Sequence, residues 1–206
     1  MTDTVTHWEQ VWETKDHEDT SWFQTDPGVS LAIIDALEVA SDQVVIDVGC
    51  GASHLVDRLI GRGFRAIHLL DVSAGALAQV KDRLGAFEES NGVIYHVVDL
   101  LELNPVPVVD VWHDRAMLHF LREPADRTRY AEIATAAVRP GGVLIVGGFA
   151  PDGPERCSNL EVCRSDATGI AELFSGGFSL IQSDQLVHVT PWGAEQVFQW
   201  CALRRS

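Results

Sequence analysis

The chain has 206 residues, with 15 Lys and Arg against 30 Asp and Glu and a formal net charge of −15. That length suffices for one domain whose core needs no staples, and 46% apolar with 22% charged residues is the composition of a folded, soluble protein. The acidity argues against a surface that neutralises phosphates or docks on an anionic membrane, so neither nucleic acid nor membrane is an expected partner.

No run reaches 18 apolar residues, so no transmembrane helix is expected. Met1-Thr-Asp-Thr has neither the basic nor the apolar part of a signal peptide, which points to the cytoplasm. Cys50, Cys157, Cys163 and Cys201 are then expected as thiols. Nothing in the sequence specifies an oligomeric state.

Residues 1–26 hold seven acids and one base, −6 of the total charge, together with Trp8, Trp12 and Trp22. A merely solvating tail needs no tryptophans. Val5 to about Lys15 reads as a short helix with Trp8 and Trp12 on one face. Asp26-Pro27-Gly28 signals a turn, and Ser30 to Val39 an amphipathic helix.

Gln43 to Gly49 is an apolar run closed by glycine, the pattern of a buried parallel strand. A helix over Ser53–Gly61, a strand over Arg65–Asp71 and a helix over Ala74–Leu84, capped by Ser73 and ended by Gly85, follow. Strands are expected over Val93–Asp99 and Val108–Asp114, then a helix over Pro124–Val138 stopped by Pro140-Gly141-Gly142. A strand over Val143–Val146, a long irregular loop to Cys163 and a short helix over Ser165–Phe174 come next. Phe178–Val189 and Gln196–Leu203 read as a closing antiparallel hairpin.

Strands alternating with helices imply a doubly wound α/β sheet, in which ligands sit beyond the carboxyl ends of the strands. The first strand ends in Asp47-Val-Gly49-Cys50-Gly51, the second in Asp71 and the third in Asp99. Glycines there allow a tight turn and a close ligand approach. Asp71 lies 24 residues beyond Asp47, a spacing that suits a carboxylate on ribose hydroxyls. Asp99 suits an exocyclic adenine amine. The loop lacks the third glycine of a dinucleotide fingerprint, with Ser53-His54 in its place, so a single nucleoside fits better than a pyrophosphate.

With Val45-Ile-Asp-Val-Gly-Cys-Gly-Ala-Ser, Leu69-Leu-Asp-Val-Ser, Val97-Val-Asp-Leu and Arg139-Pro-Gly-Gly-Val-Leu-Ile in order, the sequence resembles a class I S-adenosylmethionine-dependent methyltransferase. The resemblance implies a Rossmann-like, three-layer α/β/α fold on a seven-stranded sheet with the last strand antiparallel. It implies a lid over residues 1–40 and a methyltransferase domain over 41–206. S-adenosylmethionine would be the methyl donor and S-adenosylhomocysteine the product. Asp47, Gly49, Cys50 and Gly51 would line the methionine part, Asp71 the ribose, and Val72, Asp99 and Leu100 the adenine. Trp22 and Phe23 would be lid residues on the substrate.

Methyl transfer chiefly needs alignment and exclusion of water, plus a base when the acceptor must lose a proton. Trp112-His113-Asp114-Arg115-Ala-Met-Leu-His119 follows the fourth strand. His113 is the candidate base or a cofactor contact, and His119 a second candidate base. Asp114 would orient a histidine, and Arg115 would bind an anionic substrate group. Cys157 is a candidate contact for a soft substrate. The six-residue gap from Cys157 to Cys163 is no zinc spacing, and no metal is expected. The acceptor atom stays open between thiol, hydroxyl, amine and metalloid on a small molecule. The alternatives are a protein-lysine methyltransferase and a non-catalytic donor-binding module.

Overall fold

The structure, a computed structural model, describes residues 2–85 and 92–206. Helix α1 spans Thr2–Thr14, and a 3-10 turn covers His17–Asp19. Helix α2 follows over Gly28–Ala36, capped at Pro27, so it begins and ends earlier than the Ser30–Val39 periodicity suggests. Strand β1 (Val45–Val48), α3 (Leu55–Gly61), β2 (Ile67–Asp71), α4 (Ala74–Leu84) and β3 (Val93–Val97) then alternate. Beyond them come β4 (Val109–Arg115), α5 (Pro124–Ala137), β5 (Val138–Phe149), the two-residue β6 (Arg156–Cys157) and β7 (Leu160–Glu161), α6 (Ala167–Phe174), β8 (Phe178–Val189) and β9 (Glu195–Arg205).

Local chemistry explains several boundaries. Ser73 accepts a hydrogen bond from the Ala76 amide and starts α4, and Gly85 ends it at φ 53°. Asp166 caps α6 through the Gly169 amide. Two expectations are corrected. Pro140-Gly141-Gly142 does not separate helix from strand, because β5 already begins at Val138, which pairs with Val109 across an irregularity in register. The loop after β5 is not wholly irregular: β6 and β7 form a small hairpin whose turn residues Ser158 and Asn159 have φ of 49° and 63°.

The seven-stranded sheet has the order β3-β2-β1-β4-β5-β9-β8. β9 runs antiparallel to both neighbours, and the other six strands are parallel. Alternate β1 residues feed opposite layers: Val45 joins Leu31, Leu59 and Leu77, whereas Ile46 and Val48 join Leu100, Tyr130 and Ile133. Helices thus cover both faces, as a mostly parallel sheet requires. The strand order reverses between β1 and β4, which opens a crevice at their carboxyl ends. Among the described residues, no helix is long and apolar enough to cross a membrane.

Candidate active site

A cavity of about 410 Å³ lies in that crevice, a size suited to a small ligand. Its floor contains Asp47, Gly49, Cys50 and Gly51 after β1, Asp71 and Val72 after β2, and Asp99 and Leu100 after β3. All eight residues expected around the donor therefore meet in one space. β4 adds His113 and Arg115, and the roof comes from Trp8, Trp12, Trp22 and Phe120.

The two loop glycines make the tight turn expected of them. Both sit at positive φ, 61° for Gly49 and 52° for Gly51. A Cβ on Gly51 would lie 2.7 Å from the Trp12 ring, and one on Gly49 would lie 2.7 Å from the Met117 side chain. The close approach is by the protein's own roof and wall.

The acids at the strand ends are engaged with backbone. Asp71 accepts from the Gly51 amide at 2.8 Å and the Ser73 amide at 2.9 Å, which ties the β1 and β2 loops together. Burial pushes its carboxyl up to about 6, against which the two amides pull. Asp99 accepts from the Leu101 amide at 2.9 Å and keeps a half-buried face on the cavity. Each carboxylate has lone pairs to spare for a ligand's hydroxyls or amine. Burial also raises the Cys50 thiol, so it meets a ligand as a neutral group.

Asp47, His113 and Ser30 form a buried chain. The His113 Nδ1 lies 2.7 Å from Asp47 Oδ1, and its Nε2 lies 2.9 Å from Ser30 Oγ. Because a carboxylate only accepts, the network assigns the Nδ1 proton to the bond with Asp47. Ser30 Oγ closes the chain on the ring's other side. All three side chains are buried, and all three line the cavity. Ser30 had no signal in the sequence, since its partner is 83 residues away.

The β4 pleat sorts the remaining candidates. Arg115 lies two residues beyond His113 and shares its side of the sheet. Its Nη1 donates to the Trp22 carbonyl at 2.8 Å, Nη2 has no hydrogen-bond partner among the described residues, and burial lowers the guanidinium to about 10. Asp114 points the other way and does not line the cavity. It orients no histidine. It accepts from Tyr130 Oη at 2.7 Å, Met117 N at 2.8 Å and Leu118 N at 3.0 Å.

His119 also misses the cavity. It is wedged between Phe120 and Phe149, with ring centroids 4.4 and 4.8 Å away, and neither nitrogen has a hydrogen-bond partner among the described residues. Burial, with Arg115 adding repulsion, lowers it to about 3. A histidine lowered on folding supports the fold above its ordinary 6.5 and withdraws that support as pH falls toward 3. Between pH 7.5 and 5.5, His119 should therefore withdraw about 1 kcal/mol of unfolding free energy, read as the difference between the wild-type chain and His119→Leu. Urea denaturation of the protein and of His119→Leu at both pH values checks this. An equal pH dependence in the two would refute it.

The lid residues divide as well. Trp22 lines the cavity and packs edge-on to Trp8 and Trp12, at 5.8 and 6.1 Å between ring centroids. Phe23 turns away onto His17 and His54, at 5.0 and 6.0 Å. Glu9, one of the N-terminal acids, faces inward: it accepts from the Ala74 and Gly75 amides and from Ser73 Oγ, at 2.7, 3.2 and 2.9 Å. It thereby latches α1 to the positive end of α4, a contact across about 65 residues that no local pattern announces. His188 of β8 bonds to the Ser21 carbonyl at 2.8 Å and holds the N-terminal segment from the other side.

Cys157 lines the cavity, but burial pushes its thiol up to about 11. It meets a ligand as a neutral thiol, not as the thiolate a metalloid would need. Cys163 does not line the cavity. All four cysteines are free, and no cluster of three or more potential metal ligands occurs among the described residues.

Residues 46–144, which include the glycine loop and the strand ends just described, match a family described as a methyltransferase domain. Over that stretch the chain is similar to a methyltransferase domain. Solved structures share the fold around it. A Burkholderia thailandensis 1,6-didemethyltoxoflavin-N1-methyltransferase with bound 1,6-didemethyltoxoflavin and S-adenosylhomocysteine is 20% identical, with a TM-score of 0.71, over 100% of this chain and 86% of that one. The N-methyltransferase NodS from Bradyrhizobium japonicum WM9, in complex with S-adenosylhomocysteine, is 13% identical, with a TM-score of 0.73, over 97% and 98%. A structure described under the conversion of a disulfide bond into a thioacetal group during echinomycin biosynthesis is 20% identical, with a TM-score of 0.77, over 100% and 93%. No curated protein matches this chain in sequence.

Proposed function

We propose that the chain transfers a methyl group from S-adenosylmethionine to a small-molecule nucleophile and releases S-adenosylhomocysteine. One observation carries this reading: the glycine loop and three strand-end acids face a single cavity of about 410 Å³ beneath an aromatic roof. Solved structures of the same fold that hold S-adenosylhomocysteine support the choice of donor.

The residues fit the donor's parts. Asp71 takes the ribose hydroxyls, Val72 and Leu100 flank the adenine, and Asp99 accepts from its amine. Asp47, Gly49, Cys50 and Gly51 border the methionine portion. When bound, the donor supplies a methyl group on a positively charged sulfur, already a good leaving group. The protein aligns the acceptor and excludes water. Trp8, Trp12, Trp22 and Phe120 close the cavity above it. Residues 1–40 act as the lid, fastened by Glu9 and His188. Cys157 and Trp22 touch the acceptor, and Arg115 serves an anionic group on it. His113, held by Asp47, is the base.

The roofed cavity favours a small molecule over a protein side chain as acceptor. The test is a labelled-methyl assay with thiol, phenol, amine and arsenite acceptors. Turnover on at least one small acceptor is the expected result. Donor binding without turnover on any of them would favour a non-catalytic module, and methylation only of lysine in a protein would overturn the small-molecule reading.

A further inference from the structure

Ser30 belongs to no strand end and to no part of the methyltransferase motifs. It sits in the third position of α2 with 1% of its surface exposed, yet it borders the cavity. Buried hydroxyls are ordinarily spent on their own helix, bonding a carbonyl one turn back. Ser30 Oγ instead reaches His113 Nε2, 2.9 Å away. His113 is 2% exposed, and both of its ring nitrogens are occupied, by Asp47 on one side and Ser30 on the other. An acceptor in the cavity therefore cannot reach a free nitrogen of His113 while this chain is intact.

We propose that Ser30 is a catalytic residue that relays the acceptor's proton to His113, so that the acceptor is a protic nucleophile, a hydroxyl or thiol, that must be deprotonated. The inference rests on the methyltransferase reading and extends it to a substrate class. As the acceptor's O–H or S–H bond breaks, its proton passes to Ser30 Oγ. The Ser30 hydroxyl proton passes to His113 Nε2 in the same step. The electron pair left on the acceptor's oxygen or sulfur would form the new bond to the donor's methyl carbon as the carbon–sulfur bond breaks, that bond's pair returning to the donor's sulfur, which becomes the neutral thioether of S-adenosylhomocysteine. Ser30 ends neutral, and His113 ends as an imidazolium whose Nδ1 proton is still held by Asp47 at 2.7 Å. The proton leaves to solvent when product departs. Asp47 is a positioning residue in this scheme: it fixes which ring nitrogen carries the resting proton.

The geometry is that of a nucleophile–histidine–carboxylate chain, but here Ser30 passes a proton and is not the nucleophile. A relay needs only the lone pair that its bond to His113 leaves free. Such a relay matters most for acceptors that hold their proton tightly and least for those already ionised at the working pH.

That difference is the test. Ser30→Ala and Ser30→Thr are assayed with a weakly acidic alcohol or alkyl thiol and with an acidic aryl thiol that is largely thiolate at pH 8. Ser30→Ala should lose about 10²-fold in turnover on the weakly acidic acceptor and little on the thiolate, and Ser30→Thr should recover most of the loss. Equal losses on both acceptors, or none on either, would overturn the relay. Calorimetry on the same samples separates this from the broader reading. A wild-type chain that binds neither form of the donor overturns both. A second readout needs no donor: in the free protein, the nitrogen-15 NMR signal of His113 Nε2 should move on Ser30→Ala as the hydrogen bond is lost. An unmoved signal contradicts the 2.9 Å contact on which the relay depends.

Discussion

Asp114→Ala is expected to lower the unfolding free energy by about 2–4 kcal/mol without touching the cavity. Its carboxylate is fully buried and accepts from Tyr130 Oη, Met117 N and Leu118 N. Removing it leaves two buried donors and one partly buried donor without an acceptor, each buried one costing about 1–3 kcal/mol. One effect opposes this. Burial raises the Asp114 carboxyl from 3.8 to about 6, so the ionised form is itself disfavoured in the fold by roughly 3 kcal/mol, which alanine relieves. The orphaned donors outweigh that relief, because the Met117 and Leu118 amides shape the turn that follows β4 and Tyr130 also receives the Trp112 indole bond at 2.8 Å. Asp114→Asn keeps one acceptor and carries no charge, so its loss should be smaller. An acid raised on folding favours the fold below 3.8 and loses that contribution as pH rises through 6, so the wild-type chain should gain on Asp114→Asn as pH falls from 7 to 5. Urea titrations of the three proteins read both effects, and an alanine variant as stable as wild type would remove Asp114 from the framework.

His113→Asn should reduce turnover by about 10²–10⁴-fold and leave donor affinity within a few-fold. Asparagine is the informative replacement because its Nδ2 can occupy the place of the imidazole Nδ1–H and keep Asp47 paired. Alanine would leave a buried carboxylate alone, and a loss of fold could then pass for a loss of chemistry. The asparagine variant deletes only the nitrogen that faces Ser30. Single-turnover rates with a weakly acidic acceptor, beside calorimetry with the donor product, give the two readings. Wild-type turnover in a folded His113→Asn protein would show that no base works there.

The sheet was legible in the sequence because buried parallel strands are short apolar runs and their carboxyl ends are marked by glycine and aspartate. That is why Asp47, Gly51, Asp71 and Asp99 could be placed in one site from order alone. The pleat of β4 separates Asp114 from His113 and Arg115, and simple alternation along the strand could have warned of it. His119 lies beyond the strand in a 3-10 turn, where period carries no facing information, and it went to an aromatic wedge. Phe23 and Trp22 are adjacent, and in an irregular segment nothing in sequence says which ring turns inward. Ser30 and Glu9 were invisible for a stronger reason: each acts through a partner 83 or about 65 residues away. Local patterns reveal which residues end the strands, whereas the Glu9 contact with α4 and the Ser30–His113 bond arise only from packing.

The central claim is that the acids at the strand ends hold the donor. Titrating the wild-type chain and Asp71→Ala with S-adenosylhomocysteine in a calorimeter tests it directly. The wild-type chain should bind with one-to-one stoichiometry, and Asp71→Ala should bind about 1–3 kcal/mol more weakly, because the ribose hydroxyls lose their acceptor. No binding by the wild-type chain, or equal affinity in a folded Asp71→Ala protein, would contradict it.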